Sequence, residues 1–394
     1  MQALDKKIFG TLFFSIFTAV TGVGIVVPLL PVYAHDLGAS GLYIGLIFGA
    51  FSLSRTILLP YFGRLSDKKG RKPVIVAGLL FYAIVSAAFL FSTDIKTLIL
   101  FRFIQGIASA MIMPVCQAYV GDITPVGKEG FFMGMFNMSM FFGLSIGPLI
   151  GGFVKDYYSL DTAFACMGFL SLTAFIISLF FLPPTITEKA MANKKSPKKW
   201  KHIIGDRNIA GLFIFRFAYT ASIGIIWSFL PVFTNLEFSL SGFSTGILVT
   251  LGVLISGILH TPMGIAADKF NKQFLIATGG FAVVFSMLFY GKAECFNDLL
   301  FASILFGIGG GISMPALMAI AVYKGKETDS MGSVMALITT AHSLGMLIGS
   351  LAAGLIMDMF RLRKAFYSGA GIMVTGIILF LFLMRDSTNY QRQL

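Results

Sequence analysis

Twelve apolar runs divide the chain from end to end, at roughly 8–34, 41–62, 74–93, 97–121, 131–154, 162–182, 208–234, 242–265, 274–292, 298–322, 331–356 and 364–384. A helix of about 20 residues crosses the roughly 30 Å hydrocarbon core of a bilayer. Inside that core the backbone must satisfy its own hydrogen bonds, so runs of this kind fold as helices. The expected fold is therefore an all-α polytopic membrane protein with twelve transmembrane helices. Composition agrees: of 394 residues 12% are charged, where a soluble domain carries about 25%. Mean hydropathy is +0.85. The first run follows Lys6 and Lys7 and extends to Pro31, too long for a signal-peptide core, so it reads as a retained first helix. The cysteines, Cys116, Cys166 and Cys295, are odd in number and match no metal spacing. No nucleotide-binding loop or catalytic triad stands in supporting context, so no cofactor, metal or enzyme activity is expected.

Charge sets orientation. An even number of spans returns both termini to one side. With the N-terminus inside, 21 of the 30 lysines and arginines fall in cytoplasmic segments, 6 outside and 3 within spans. That bias predicts a multi-pass protein of the cell (inner) membrane with both termini cytoplasmic. The net charge of +12 then reflects attraction to an anionic inner leaflet, and no nucleic acid partner is needed.

The chain repeats itself. "GIVVPLLPV" at 24–32 returns as "GIIWSFLPV" at 224–232. Gly63 and Asp67 return as Gly264 and Asp268; Gly106, Met113 and Pro114 as Gly307, Met314 and Pro315; Gly147, Gly152 and Asp156 as Gly349, Gly354 and Asp358. Four matches in one order, at an offset near 200, predict a parallel repeat. Its parts are a six-helix half at 1–182, a basic cytoplasmic linker at 183–207 and a second half at 208–394. Halves of this kind can rock about a central site.

"GRLSDKKGRKP", from Gly63 to Pro73, holds five basic residues, two glycines and an aspartate in a chain poor in charge. A tight cytoplasmic turn would use Gly63 and Gly70. Asp67 there can accept from Arg71 and from helix N-terminal amides. "RFIQG" puts Arg102, Gln105, Gly106 and Ser109 on one helical face, which should line a cavity or meet neighbouring helices. "GLSIGPLIGG" spaces Gly143, Gly147 and Gly151 four apart beside Pro148 and Gly152, suiting close helix approach and a bend at a hinge.

On these stretches the chain resembles the major facilitator superfamily over essentially its whole length, and within it the twelve-span drug:proton antiporters. The resemblance implies alternating access and a small-molecule substrate. It also implies a conformational latch at Gly63, Asp67, Gly70 and Arg71, with Asp122 as partner, and a role for Arg102 and Gln105 in proton movement. The sequence departs from many drug exporters in one respect. All 18 acidic residues lie in loops or at helix ends, while Arg55, Arg102 and Arg216 are embedded. Arg55 is expected about 12 Å from the end of its span. Arg216 begins a face with Tyr219 and Trp227. If Arg55, Arg216, Tyr219 and Trp227 line a cavity, that cavity favours anions. His342 is the titratable side chain nearest mid-span and the third coupling candidate.

The expected function is secondary active transport, a proton-coupled export of an amphipathic small molecule or drug by a monomer in contact with lipid. The alternatives are a carrier of organic anions or of anionic or zwitterionic lipid-like molecules, and a non-transporting membrane receptor on the same fold.

Overall fold

The computed structural model describes residues 3–124, 129–183, 205–328 and 331–384. Among these the chain forms thirteen α-helices. They are α1 Ala3–Val26, α2 Leu30–Asp36, α3 Gly41–Lys69, α4 Arg71–Ala88, α5 Ile95–Ile123, α6 Glu129–Tyr157 and α7 Leu160–Phe181, followed by α8 Arg207–Phe238, α9 Gly242–Lys269, α10 Lys272–Lys292, α11 Phe296–Glu327, α12 Met331–Met359 and α13 Leu362–Met384. Twelve stretches are long and apolar enough to span a membrane, α1 and α2 together forming the first. The apolar runs thus locate every span. Pro28, in the turn between α1 and α2, and Pro31, in the first turn of α2, interrupt and restart that first span.

The chain divides into two compact units whose borders do not follow the sequence repeat. The first holds Met1–Ala39, Leu46–Asn193 and Thr234–Thr250; the second holds Ser40–Gly45, Lys194–Phe233 and Leu251–Leu394. In the first unit α1 packs on α6 and α7, and α4 on α5 and α7. Leu12, Ile16, Leu79, Tyr119 and Phe136 form the middle of that core. In the second unit α10 packs on α11 and α13, and α12 on α11 and α13. Its interior is aromatic: Tyr290 stacks on Phe366, and the Tyr290 hydroxyl meets Ser303 Oγ at 2.7 Å.

Small residues let the helices touch backbone to backbone. A Cβ at Gly147 would stand 2.6 Å from Gly24 Cα, and one at Gly151 would overlap the Ile25 carbonyl. The row Gly143, Gly147, Gly151 therefore seats α6 on α1 inside one unit. Pro148 meets both neighbours, its ring Cδ beside Gly24 of α1 and its carbonyl against Gly246 of α9, while Gly152 meets Gly242 in the first turn of α9. The second unit repeats the device: Gly345 and Gly349 seat α12 against Phe217, Thr220 and Ala221 of α8.

Candidate functional site

Three groups of polar side chains stand out from the apolar packing. The first surrounds the "GRLSDKKGRKP" stretch, and here the sequence reading needs correction. α3 does not stop at Gly63 but runs on to Lys69, and the only residue between α3 and α4 is Gly70, at φ +90°. Gly70 serves the turn, because that backbone region is closed to most side chains. Gly63 lies inside the helix, where an added Cβ would meet nothing within 4 Å. Charge at the end of a membrane helix is already in the aqueous layer and does not end it, and Lys68 and Lys69 suit the negative end of the helix dipole. Arg71 donates from Nε to Asp122 Oδ2 at 3.0 Å and from Nη1 to Ser66 Oγ at 2.7 Å. The side chain of Asp67 lies outside the described residues, as does most of the 183–207 connection. The equivalent turn of the second repeat is built differently: Asn271 caps α10 by accepting from the amides of Gln273 and Phe274.

The second group lies wholly in the first unit. Arg102 is 5% exposed. Its Nη1 donates to Gln105 Oε1 at 2.7 Å, and its guanidinium lies over the rings of Phe48 and Phe51, at 5.2 and 4.6 Å. The sequence left open whether this face met a cavity or neighbouring helices; the α3 aromatics are what it meets. Gly106 brings α5 against the Phe51 carbonyl and Ser54, so α3 can approach closely enough. Tyr82 of α4 is buried within electrostatic reach of Arg102 and Arg55, with Gln105 beside it. Arg55 stands at the midpoint of α3, about 21 Å from either end. The added turns carry Arg64, Lys68 and Lys69 in the aqueous layer, so Arg55 remains nine residues, about 14 Å, from the charged end of α3. Tyr82, Phe48 and Phe51 were not singled out in the sequence, since nothing local marks which aromatics will face an arginine.

The third group lies in the second unit. Arg216 of α8 approaches Met314 Sδ at 2.6 Å and His342 Nδ1 at 3.2 Å. Guanidinium can only donate, so His342 Nδ1 accepts and carries no proton in this contact. Tyr219 is nearly buried and stacks on Phe306, with its hydroxyl against Gly310 and Ser256. Trp227 is half-buried two helical turns farther along α8.

A pair of carboxylates that the repeat marked, without a role, takes a defined place. Asp156, near the end of α6, accepts from the backbone amides of Gly242 and Phe243 at 2.9 and 2.8 Å, capping α9. Asp358, near the end of α12, accepts from those of Gly41 and Leu42 at 2.6 and 2.8 Å, capping α3. Each repeat thus uses the carboxylate of its fifth span to cap the second span of the other. Gly152 and Gly354 provide the close approach, against Gly242 and Gly41.

The family model for the Major Facilitator Superfamily matches residues 12–290 and, in a second match, 212–393. The chain belongs to the major facilitator superfamily. An uncharacterized MFS-type transporter of Methanocaldococcus jannaschii is 31% identical over 98% of this chain and all of its own length. The quinolone resistance protein NorA of Staphylococcus aureus is 26% identical over 99% of this chain and all of its own. Among solved structures, a variant of the nucleoside transporter NupG superposes with a TM-score of 0.81 at 14% identity, covering 95% of this chain and 99% of that one. The superfamily is one of transporters, not enzymes, and this member is a multi-pass membrane transporter.

Proposed function

We propose that this transporter exports an amphipathic small molecule in exchange for protons, the repeats 1–182 and 208–394 alternating their access around a shared site. The 183–207 connection is the cytoplasmic linker of that arrangement. Full-length similarity to a quinolone resistance protein supports the cargo class. The observation that carries the alternating mechanism is the reciprocity of Asp156 and Asp358. Two caps of one design, each joining one repeat to the other, form a latch that one conformation makes and the other breaks. Arg71 and Asp122, both in the first repeat, brace the α3–α4 turn against the end of α5 at the cytoplasmic end.

Proton coupling rests on His342. A proton added at Nδ1 removes the acceptor for Arg216 and leaves two cations in contact, so protonation loosens α8 from α12 at that level. Tyr219 and His260 are the other titratable side chains within electrostatic reach of Arg216. In proteoliposomes loaded with acidic buffer, a fluorescent quinolone is expected to accumulate several-fold over a neutral-interior control, and a protonophore should abolish the difference. His342→Gln should keep quinolone binding and lose the stimulation by the gradient. Uptake by the wild-type protein that ignores the gradient would overturn proton exchange.

Orientation has a native reporter. Cys295, exposed just before α11, belongs to an extracellular connection if the N-terminus is cytoplasmic, whereas Cys116 is buried. With Cys166 replaced by alanine, an impermeant maleimide added to intact cells should label Cys295 and should not label a cysteine placed at Lys68. The reverse pattern would invert the topology.

A further inference from the structure

The arginines of the first unit are left without a counter-charge. Arg55 makes no hydrogen bond, ion pair or aromatic contact among the described residues, and its Nε is buried. Arg102 uses Nη1 on Gln105 and its face on two rings, yet its buried Nε meets no acceptor among the described residues. The buried Tyr82 hydroxyl lies beside Gln105 and within electrostatic reach of both guanidinium groups, and among the described residues nothing comes close enough to make a full hydrogen bond with it. Arg55 follows Phe51 by one turn of α3, the ring that Arg102 of α5 covers, and both arginines lie within electrostatic reach of Tyr82 of α4; donors are left unused, and no carboxylate of the described residues pairs with either arginine.

Such an arrangement is costly to keep. An arginine at mid-membrane depth costs at least about 2.5 kcal/mol unless it faces protein or water, and a buried polar group without a partner adds about 1–3 kcal/mol. Cation–π contact offsets part of this for Arg102. It offsets nothing for Arg55. Packing alone would be served better by leucine or methionine in both places. What the cluster lacks is an acceptor with several lone pairs and a negative charge. A carboxylate or phosphate oxygen pair fits that description, because guanidinium binds it through two parallel N–H donors. Gln105 already fixes one edge of Arg102, so that side chain is positioned before any ligand arrives.

We propose that Arg55, Tyr82 and Arg102, with Gln105 as the positioning residue, form a binding site for one carboxylate or phosphate group of an amphipathic ligand. The inference rests on the transporter reading and adds to it the charge of the group recognised. The group has two possible sources, a soluble cargo or an anionic lipid headgroup, and both share this chemistry.

The test is equilibrium binding to purified protein in lipid nanodiscs, with no gradient and no turnover, using 2-naphthoate and its uncharged analogue 2-naphthamide. In phosphatidylcholine discs the wild-type protein should bind naphthoate at least about tenfold more tightly than the amide. Arg55→Gln should erase that preference by weakening naphthoate alone. Arg55→Lys should restore part of it, and Tyr82→Phe should weaken naphthoate a few-fold. Adding phosphatidylglycerol to the discs separates the sources. Competition seen with wild type and absent with Arg55→Gln identifies a headgroup, and no competition identifies a soluble anion. Equal affinity of wild type for the two probes, or an equal loss of both in folded Arg55→Gln, overturns the site. If Arg55→Gln does not fold, the Tyr82→Phe comparison and the wild-type charge preference decide. Quinolone uptake driven by a gradient could survive that result, and naphthoate binding could survive the absence of uptake, so the two readings fail separately.

Discussion

Loss of both helix-capping carboxylates, in an Asp156→Ala and Asp358→Ala double variant, is expected to slow transport at least tenfold while ligand affinity changes little. Each carboxylate accepts two backbone amides at the start of a helix, where hydrogen bond and helix dipole act together. These ends are partly open to solvent, so screening reduces each cap to about 1 kcal/mol. Two caps then hold about 2 kcal/mol, a shift of roughly thirtyfold in the conformational equilibrium. Because the caps are equivalent under the repeat, each single variant should show about half the free-energy change. The checks are the initial rate of quinolone transport and the accessibility to an impermeant reagent of cysteines placed at Leu42 and Phe243, which already carry side chains beside the caps. A double variant with wild-type rate and unchanged accessibility would remove the caps from the transport cycle. The repeat makes the stronger claim of the two: if one single variant were silent and the other severe, the reciprocal latch would reduce to one ordinary cap.

The second large effect concerns folding. Gly151→Leu should abolish recovery of folded protein or lower its melting temperature sharply, because even a Cβ there overlaps the Ile25 carbonyl of α1. Overpacking against side chains costs about 1–3 kcal/mol. Here the obstacle is backbone, which cannot swing aside, and a leucine must push α6 off α1 along the Gly143–Gly147–Gly151 row. Gly63→Ala is the matched contrast. Nothing lies within 4 Å of its added Cβ, and the residue is helical, so stability should rise by about 0.5–1 kcal/mol if it changes at all. Thermal unfolding in detergent, read alongside the monodisperse yield, separates the two. A Gly151→Leu protein that melts like wild type would mean that α1 and α6 are not held at this distance. A Gly63→Ala protein that unfolds would mean that Gly63 is needed for a backbone shape other than the helix in which it lies.

The spans were legible because the bilayer leaves little choice. An apolar run of the right length must become a helix, and both length and composition are local properties. The family motifs and the repeat were legible for a related reason, since residue types in fixed order survive being written as a string. Charge near the membrane was misread in one respect. The lysines after Gly63 suggested a loop, but a helix end in water is as polar as a loop, and α3 continues to Lys69. The candidate site was legible only as an inventory. That Arg55, Arg102, Arg216 and His342 are embedded follows from their positions. Which of them would have a partner does not, because partners come from other helices at any separation in sequence. Arg216 reaches His342 across 126 residues, while Arg55 finds no acceptor among the described residues. The caps show the limit most plainly. Asp156 and Asp358 repeat at a fixed offset, so the sequence could mark them as a pair. Their acceptor role depends on amides 86 and 317 residues away, which only the packing of α6 by α9 and of α12 by α3 brings within hydrogen-bond reach.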